Sequence, residues 1–288
     1  MLMTLAVTTS GKASAELTAR ARQAAERWRL PFIERRRKAP LAPLFGREAQ
    51  ALLVFGTEGL ALWDREGALR FTPGMARLRV KRLDAGIQED LLVRIAGFQA
   101  GETVLDCTLG LGADALVAAR AVGTTGRVVG LEKSLALYAL VSYGLEQYDP
   151  GARSCRVEPL RIDAESFLRS QPYGSFDHVL FDPMFERPRR SAPSFETLRR
   201  FADHSPLTLS TLGLAARVAR RSVVVKGARH SNDLTKLGLL AEAGSRYATV
   251  LWARLAGDAL QRARADFTCP TYRPESPNPL GHHPEEGG

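Results

Sequence analysis

Five carboxylates, two glycines and a short Asp-Pro motif near the middle of this 288-residue chain have a spacing that suggests chemistry. The stretch Asp106-Cys107-Thr108-Leu109-Gly110-Leu111-Gly112-Ala113-Asp114 joins an apolar segment, residues 103–107, to the alanine-rich Ala113–Val122. It reads as strand, glycine turn and helix, the unit with which an α/β sheet holds a nucleotide-like ligand. A glycine lets the backbone approach the ligand, and the first helical turn presents unpaired N–H groups. Glu132 closes Arg127–Leu131, 22 residues after Gly110, where a carboxylate can accept hydrogen bonds from a ribose diol. Asp163 falls just past the strand expected over 156–161, where it can receive an adenine amino group or cap the next helix. Asp182 ends Phe176–Phe181 and opens Asp182-Pro183-Met184-Phe185.

Charge separates the ligands this turn could hold. A dinucleotide site carries G-x-G-x-x-G, whose third glycine lets the helix pack closely while the pyrophosphate rests on its N-terminus. Here the third position is Ala115, a tolerated variant. Asp106 and Asp114 flank the turn with negative charge, which repels a pyrophosphate and attracts a cation. S-adenosylmethionine carries an amino group, a sulfonium and a ribose, and no phosphate. Electrostatics favour this methyl donor over a nicotinamide cofactor, and both over a turn that only packs a helix.

These residues meet only if strands deliver them to one edge. Residues 103–107, 127–131, 156–161, 176–181 and 222–226 read as strands, and residues 113–122, 134–148, 164–169 and 206–219 as the helices between them. That alternation predicts a doubly wound α/β sheet whose acidic strand ends share one crevice. Residues 246–254 and 261–268 predict a final strand pair, residues 186–204 a long basic connection, and residues 84–96 a helix packing through Ile87, Leu91, Leu92 and Ile95. Upstream, a strand over 5–9, a helix over 15–28 and a meander over 51–55, 59–63 and 68–71 predict a small α+β domain, residues 1–72. Residues 73–100 form a basic junction and helix, 101–269 the ligand-binding domain, and the Pro-, Gly- and Glu-rich 270–288 a disordered tail.

The formal charge of +9 suggests a polyanionic partner and equally suits ordinary solubility. Met75 to Arg82 alternates apolar with cationic side chains, which predicts an extended segment with Arg77, Arg79 and Lys81 aligned outward. That ridge contacts phosphates, or is an edge strand kept soluble by charge. Ser10-Gly11-Lys12 follows a strand but lacks the remaining residues of a P-loop, and Arg35-Arg36-Arg37-Lys38 reads as a solvated basic run. Cys107, Cys155 and Cys269 show no C-x-x-C or Cys/His spacing, so neither a metal site nor a disulfide framework is expected, and a reducing cytoplasm fits. No signal peptide or membrane-crossing stretch is expected.

Asp-Cys-Thr-Leu-Gly-Leu-Gly, Glu132 and Asp-Pro-Met-Phe resemble the motifs of class I S-adenosylmethionine-dependent methyltransferases, whose fourth-strand motif is Asp/Asn-Pro-Pro-Tyr/Phe in enzymes that methylate exocyclic amines. More narrowly, residues 70–230 resemble the bacterial small-subunit ribosomal RNA guanine-N2 methyltransferase family and its uncharacterised relatives, through Asp-Pro-Met-Phe followed by Val-Val-Val-Lys. The Val-Thr-Thr-Ser start and the Met-Ala-x-Leu-Arg segment are more similar to the uncharacterised branch. The resemblance implies a seven-stranded Rossmann-like sheet with Asp106, Thr108, Gly110, Gly112, Asp114, Glu132, Asp163 and Asp182 around S-adenosylmethionine. It also implies methyl transfer to an exocyclic base amine of RNA, guanine N2 of small-subunit rRNA.

The physical roles can be stated beside it. An aromatic amine is a poor nucleophile because its lone pair is delocalised. Asp182 and the Pro183 carbonyl can accept its two N–H bonds, Phe185 can stack on an extruded base, and Met184 replaces a second proline. Alone, the same four residues could be a strand-to-loop turn with a buried phenylalanine. Arg187, Arg189, Arg190, Lys226 and Arg229 join Arg77, Arg79 and Lys81 as expected phosphate contacts, with His230 a surface residue. Methyl transfer to a small molecule or protein, and a non-catalytic RNA-binding or assembly factor, are the rival readings.

Overall fold

The computed structural model describes residues 4–87, 90–184, 193–229, 231–244 and 250–266. The N-terminal apolar runs form a four-stranded sheet of β1 (Leu5–Thr9), β2 (Ala51–Gly56), β3 (Gly59–Trp63) and β4 (Ala68–Arg70). The last three make the expected antiparallel meander, while β1 pairs in parallel with β2 after the chain has passed through α1 (Ala15–Trp28). Ser14 caps α1 by accepting from Leu17 N–H, and Ala21, Ala25 and Trp28 bury its inner face.

Residues 75–82 do not extend. They lie in α2 (Gly74–Asp84), because the same stretch also carries Ala76, Val80 and Leu83 at helical spacing, and these pack into the central core. The helix expected over 84–96 starts later, as α3 (Leu91–Ala96). Gly86 turns the chain at φ 62, Asp90 caps the new helix, and Ile87 is left 77% exposed.

The large sheet comprises β5 (Thr103–Asp106), β6 (Arg127–Leu131), β7 (Val157–Leu160), β8 (Phe176–Phe181), β9 (Ala219–Ala228), β10 (Ala241–Ala243) and β11 (Val250–Ala256). Its order is β10-β11-β9-β8-β5-β6-β7, with β7 to β9 parallel and β11 antiparallel to its neighbours. This is the expected seven-stranded doubly wound sheet. Strand order reverses between β5 and β8, which opens a crevice at their carboxyl ends. The helices between are α4 (Ala113–Val122), α5 (Leu135–Gln147), α6 (Ala164–Ser170), α7 (Pro193–Phe201), α8 (Leu209–Val218), α9 (Asp233–Lys236) and α10 (Gly257–Asp266).

Three expectations are corrected here. The basic connection contains α7, whose Leu198 and Phe201 are buried beneath the N-terminal sheet. The cap of α8 is Thr208, which accepts from Thr211 N–H, rather than Ser205-Pro206. The second strand of the final pair is β10, while residues 261–266 belong to α10, whose Leu260 and Ala263 pack in the core on the α8 side. The tail expected over 270–288 lies outside the described residues.

One core fills each face of the large sheet, and a third joins the small sheet to it. Helix α5 belongs to two of them: Ala136, Leu137 and Leu140 face the N-terminal sheet, and Val141 and Leu145 face the large one. At this seam Phe71 lies on Gly144 so closely that an added Cβ would stand 2.5 Å from Phe71 Cβ. Gly144→Ala is therefore expected to lower stability by about 1–3 kcal/mol through overpacking. A urea midpoint unchanged from wild type would show that the seam yields.

Candidate active site

The glycine turn forms as β5 ends. Gly110 and Gly112 adopt φ 51 and 76, in the left-handed region that favours glycine, and Gly112 is the N-cap of α4. Asp106 is buried beneath the turn and its carboxylate accepts from Thr108 N–H at 3.0 Å. Burial, and then the nearby charge of Asp114, push it up to about 7. Thr108 Oγ1 in turn accepts from Asp182 N–H at 2.6 Å, which fastens the turn to the end of β8.

Glu132 stands at the end of β6 with both carboxylate oxygens anchored, one accepting from Gly110 N–H at 3.1 Å and the other from Ser134 N–H at 2.8 Å. Burial pushes it up to about 7 against the pull of those donors. Asp163 caps α6 by accepting from Ser166 N–H at 3.0 Å. Lys133 reaches Asp163 at 3.4 Å and Asp203 at 3.1 Å, tying β6 to the chain after α7.

Asp182 follows the last residue of β8, and its side chain is 40% exposed. Lys226 Nζ donates to it at 2.7 Å, also pairs with Asp114, and lies 4.8 Å from the Trp252 ring centroid. Asp114 is held from the other side by Arg79 at 2.6 Å, and Arg79 makes a two-point contact with Asp90 at 2.7 and 3.0 Å. A continuous chain of alternating charge thus runs from α2 through α4 to the end of β8. Burial alone would lower Lys226, but Asp114 and Asp182 hold it above the ordinary lysine range. Burial would raise Asp114, but Lys226 and Arg79 hold it below the carboxylate range. Asp182 is pushed upward by burial, with Lys226 opposing.

A cavity of about 360 Å³ occupies the crevice, a size that suits a small-molecule ligand. Its wall includes Thr108, Gly110, Glu132, Asp163, Asp182, Pro183 and Met184, all singled out by sequence. Asp106, Gly112 and Asp114 are absent from that wall: Asp106 lies under the turn, Gly112 shapes it, and Asp114 faces Arg79 and Lys226. Sequence reasoning missed Cys107, Lys133 and the segment that closes the far side, including Asp203, Ser205, Leu207 and Thr208. That segment lies about one helix beyond the motif and carries no spacing signal of its own. Among the described residues, the charged ones on the wall are the acidic Glu132, Asp163, Glu165, Asp182 and Asp203 and the basic Lys133. The cavity therefore favours a cationic, phosphate-free guest, although Asp114 does not contribute to it.

The expected phosphate contacts divide. Arg79 and Lys226 are corrected to interior cations, each committed to two carboxylates. Arg77 and Lys81 are exposed one turn apart on α2, with Arg77 lying over Tyr148. Arg229 is half-buried after β9. Phe185, Arg187, Arg189, Arg190 and His230 lie outside the described residues. No described helix is long and apolar enough to cross a membrane.

Comparison with known proteins agrees with this geometry. A family profile described as "Putative SAM-dependent methyltransferase" matches residues 45–246. The uncharacterized protein YpiP of Bacillus subtilis is 38% identical over 76% of this chain and 87% of its own length. Ribosomal RNA small subunit methyltransferase J of Coxiella burnetii is 32% identical over 70% of this chain and 82% of its own. A crystal structure of a SAM-dependent methyltransferase from Neisseria gonorrhoeae shares the fold with a TM-score of 0.55 at 19% identity, covering 87% of this chain and 95% of that one. With the profile spanning most of the chain and a sheet order and acidic crevice that suit the donor, the chain belongs to this family of S-adenosylmethionine-dependent methyltransferases.

Proposed function

We propose that the protein methylates an exocyclic base amine of RNA, guanine N2 of small-subunit rRNA. The observation that carries this reading is a carboxylate, Asp182, opening at the end of β8 into an acidic cavity, followed by Pro183 on the same wall. The similarity to methyltransferase J supports the choice of RNA.

The residues present fit the donor. S-adenosylmethionine supplies, when bound, an electrophilic methyl group on a sulfonium. Glu132 receives the ribose hydroxyls, its orientation preset by Gly110 and Ser134. Asp163 receives the adenine amino group beside apolar Ile162 and Leu207. Gly110 keeps the backbone close, and Thr108 holds the donor turn in register with Asp182. Asp106, Gly112 and Asp114 act from beneath, by shaping the turn and fixing Lys226. Asp182 and the Pro183 carbonyl accept the two amine hydrogens, which orients the nitrogen lone pair and stabilises the positive charge that develops there. The carbon–nitrogen bond forms as the carbon–sulfur bond breaks, and one amine proton leaves to water. Met184 borders the base, and Phe185 is assigned its stacking role from sequence.

The test is transfer of labelled methyl from the donor to rRNA, followed by nuclease digestion and mass analysis. N2-methylguanosine is the expected product. Methylated protein or small molecule with unmodified RNA would overturn the substrate, and no donor turnover at all would leave only a binding factor.

Glu132 makes donor binding pH-dependent. In the unliganded protein its raised carboxyl keeps a proton between its ordinary 4.5 and about 7, so its contribution to stability is present below 4.5 and lost as pH rises to 7. Ribose hydroxyls need the ionised form as acceptor. Donor affinity is thus expected to fall by about tenfold per pH unit below 7, with proton release on binding. Calorimetry in two buffers checks this, and a flat affinity between pH 5.5 and 7.5 would remove Glu132 from the site.

A further inference from the structure

The N-terminal sheet carries a cationic surface that the methyl-transfer chemistry does not use. After Thr9 the chain turns through Ser10, Gly11 and Lys12 into α1, and a second turn, residues 35–39, folds against the first. Lys38 N–H donates to Gly11 O at 2.8 Å and joins the two, while Ala39 N–H donates to Arg36 O at 3.0 Å and closes the second turn. Arg35 lies half-buried between them, its Nε donating to Ala39 O at 2.8 Å and its Nη1 to Thr9 O at 3.1 Å. A Cβ on Gly11 would stand 3.2 Å from Lys38 Cα, so a side chain there would push the turns apart.

Lys12, Arg36, Arg37 and Lys38 therefore project from one backbone-defined platform, and all are exposed. Among the described residues none of the four has an acidic partner; Glu34, the acid preceding the run, is taken by Arg22. Lys38 is held at φ 61, a conformation that a lysine adopts at some cost. Like charges crowded on a fixed surface repel one another, and an anion relieves that repulsion.

The small sheet sets where the platform lies. Ser10 N–H donates to Phe55 O at 2.7 Å, and Phe55 meets Tyr143 in the C-terminal half of α5 with ring centroids 5.2 Å apart. The N-terminus of α5 follows Glu132 and Lys133 on the cavity wall, and Lys133 pairs with Asp203 close to Arg200, which holds Asp64 at the other end of the sheet. The platform therefore lies one helix length, about 20 Å, from the cavity.

Resting on the RNA reading above, we propose that this platform docks the sugar–phosphate backbone of the RNA substrate at a stretch remote from the base that enters the cavity, so that the RNA is held at two points along the N-terminal sheet and α5. Three or four phosphates neutralise Lys12, Arg36, Arg37 and Lys38, and contribute affinity and orientation without reading sequence. An anionic membrane is the less suitable partner. None of the large apolar side chains left exposed lies in residues 10–14 or 35–39, so the platform has nothing to insert between lipids.

The test uses the full chain with Arg36→Gln, Arg37→Gln and Lys38→Gln combined, and an rRNA fragment that the wild type methylates. Removing three phosphate contacts is expected to reduce the slope of log affinity against log salt by about 2, and to weaken RNA binding by about 100-fold near 0.1 M salt. KM for RNA should rise while donor affinity and kcat at saturating RNA stay unchanged. The charge-keeping variant, with Arg36→Lys, Arg37→Lys and Lys38→Arg, should retain the wild-type slope. An unchanged slope in the glutamine variant, a lost slope in the charge-keeping one, or a variant defect only with phosphatidylserine vesicles overturns the docking surface. Failure of the wild type to methylate any RNA would instead sink the functional reading, and the two failures are read from separate measurements.

Discussion

Asp182→Ala is expected to lower kcat by about 10³-fold or more while leaving donor binding measurable. The size follows from the removal of a preorganised acceptor at the point where positive charge develops on the amine. The selectivity follows from geometry. Asp182 keeps its backbone N–H bond to Thr108 whatever its side chain, so the donor turn retains its register. The variant is also expected to fold, because Lys226 keeps its pairing with Asp114 and no buried cation is stranded. Donor affinity from calorimetry and single-turnover transfer to rRNA check the two halves separately. Equal loss of both would mean that Asp182 serves the donor rather than the amine.

Lys226→Met is expected to be the most damaging single change outside the cavity wall. It removes the cation shared by Asp114 and Asp182, and Arg79 can compensate only Asp114. Asp114 stays buried but keeps Arg79, and Asp182, 40% exposed, regains water, so the loss of stability falls below the roughly 3–5 kcal/mol of a buried charge left wholly unpaired. Asp182, already pushed upward by burial, then loses the group that opposes the shift and faces Asp114 with less screening. A carboxyl raised further is protonated over more of the neutral range, and a protonated carboxyl is a poorer acceptor. Activity should therefore fall at pH 7 and recover in part as pH rises. The urea midpoint reports the first effect and the pH dependence of kcat the second. A stability loss with no displacement of the pH profile would reduce Lys226 to a structural ion.

Local pattern carried much of this fold. Leu5–Thr9, Ala15–Trp28, Gly59–Trp63, Ala113–Val122, Arg127–Leu131 and Phe176–Phe181 are found with the boundaries expected of them, because each has one strong period and a turn or cap at its ends. Errors arose where a stretch holds two periods. Met75 to Arg82 alternates cation with apolar residue, yet Ala76, Val80 and Leu83 make a helical stripe, and packing selected the stripe. Residues 261–266 likewise form helix where a strand is expected, and Leu260 and Ala263 dock it on the core.

The crevice acids were legible because a strand's last residue lies at the sheet edge wherever that strand is placed. Glu132 and Asp182 could thus be assigned to one cavity from position alone. The partners of the charges could not. Lys226 reads in sequence like any cation after a strand, and Arg79 like its neighbours Arg77 and Lys81. Lys226 meets Asp182 across 44 residues and Arg79 meets Asp114 across 35. Periodicity and end signals act over a few residues and are properties of the chain itself. Which charge neutralises which, and whether a cation faces solvent or is buried against a carboxylate, is decided only when the strands take their order in the sheet, since desolvation and Coulomb energy depend on distance in space.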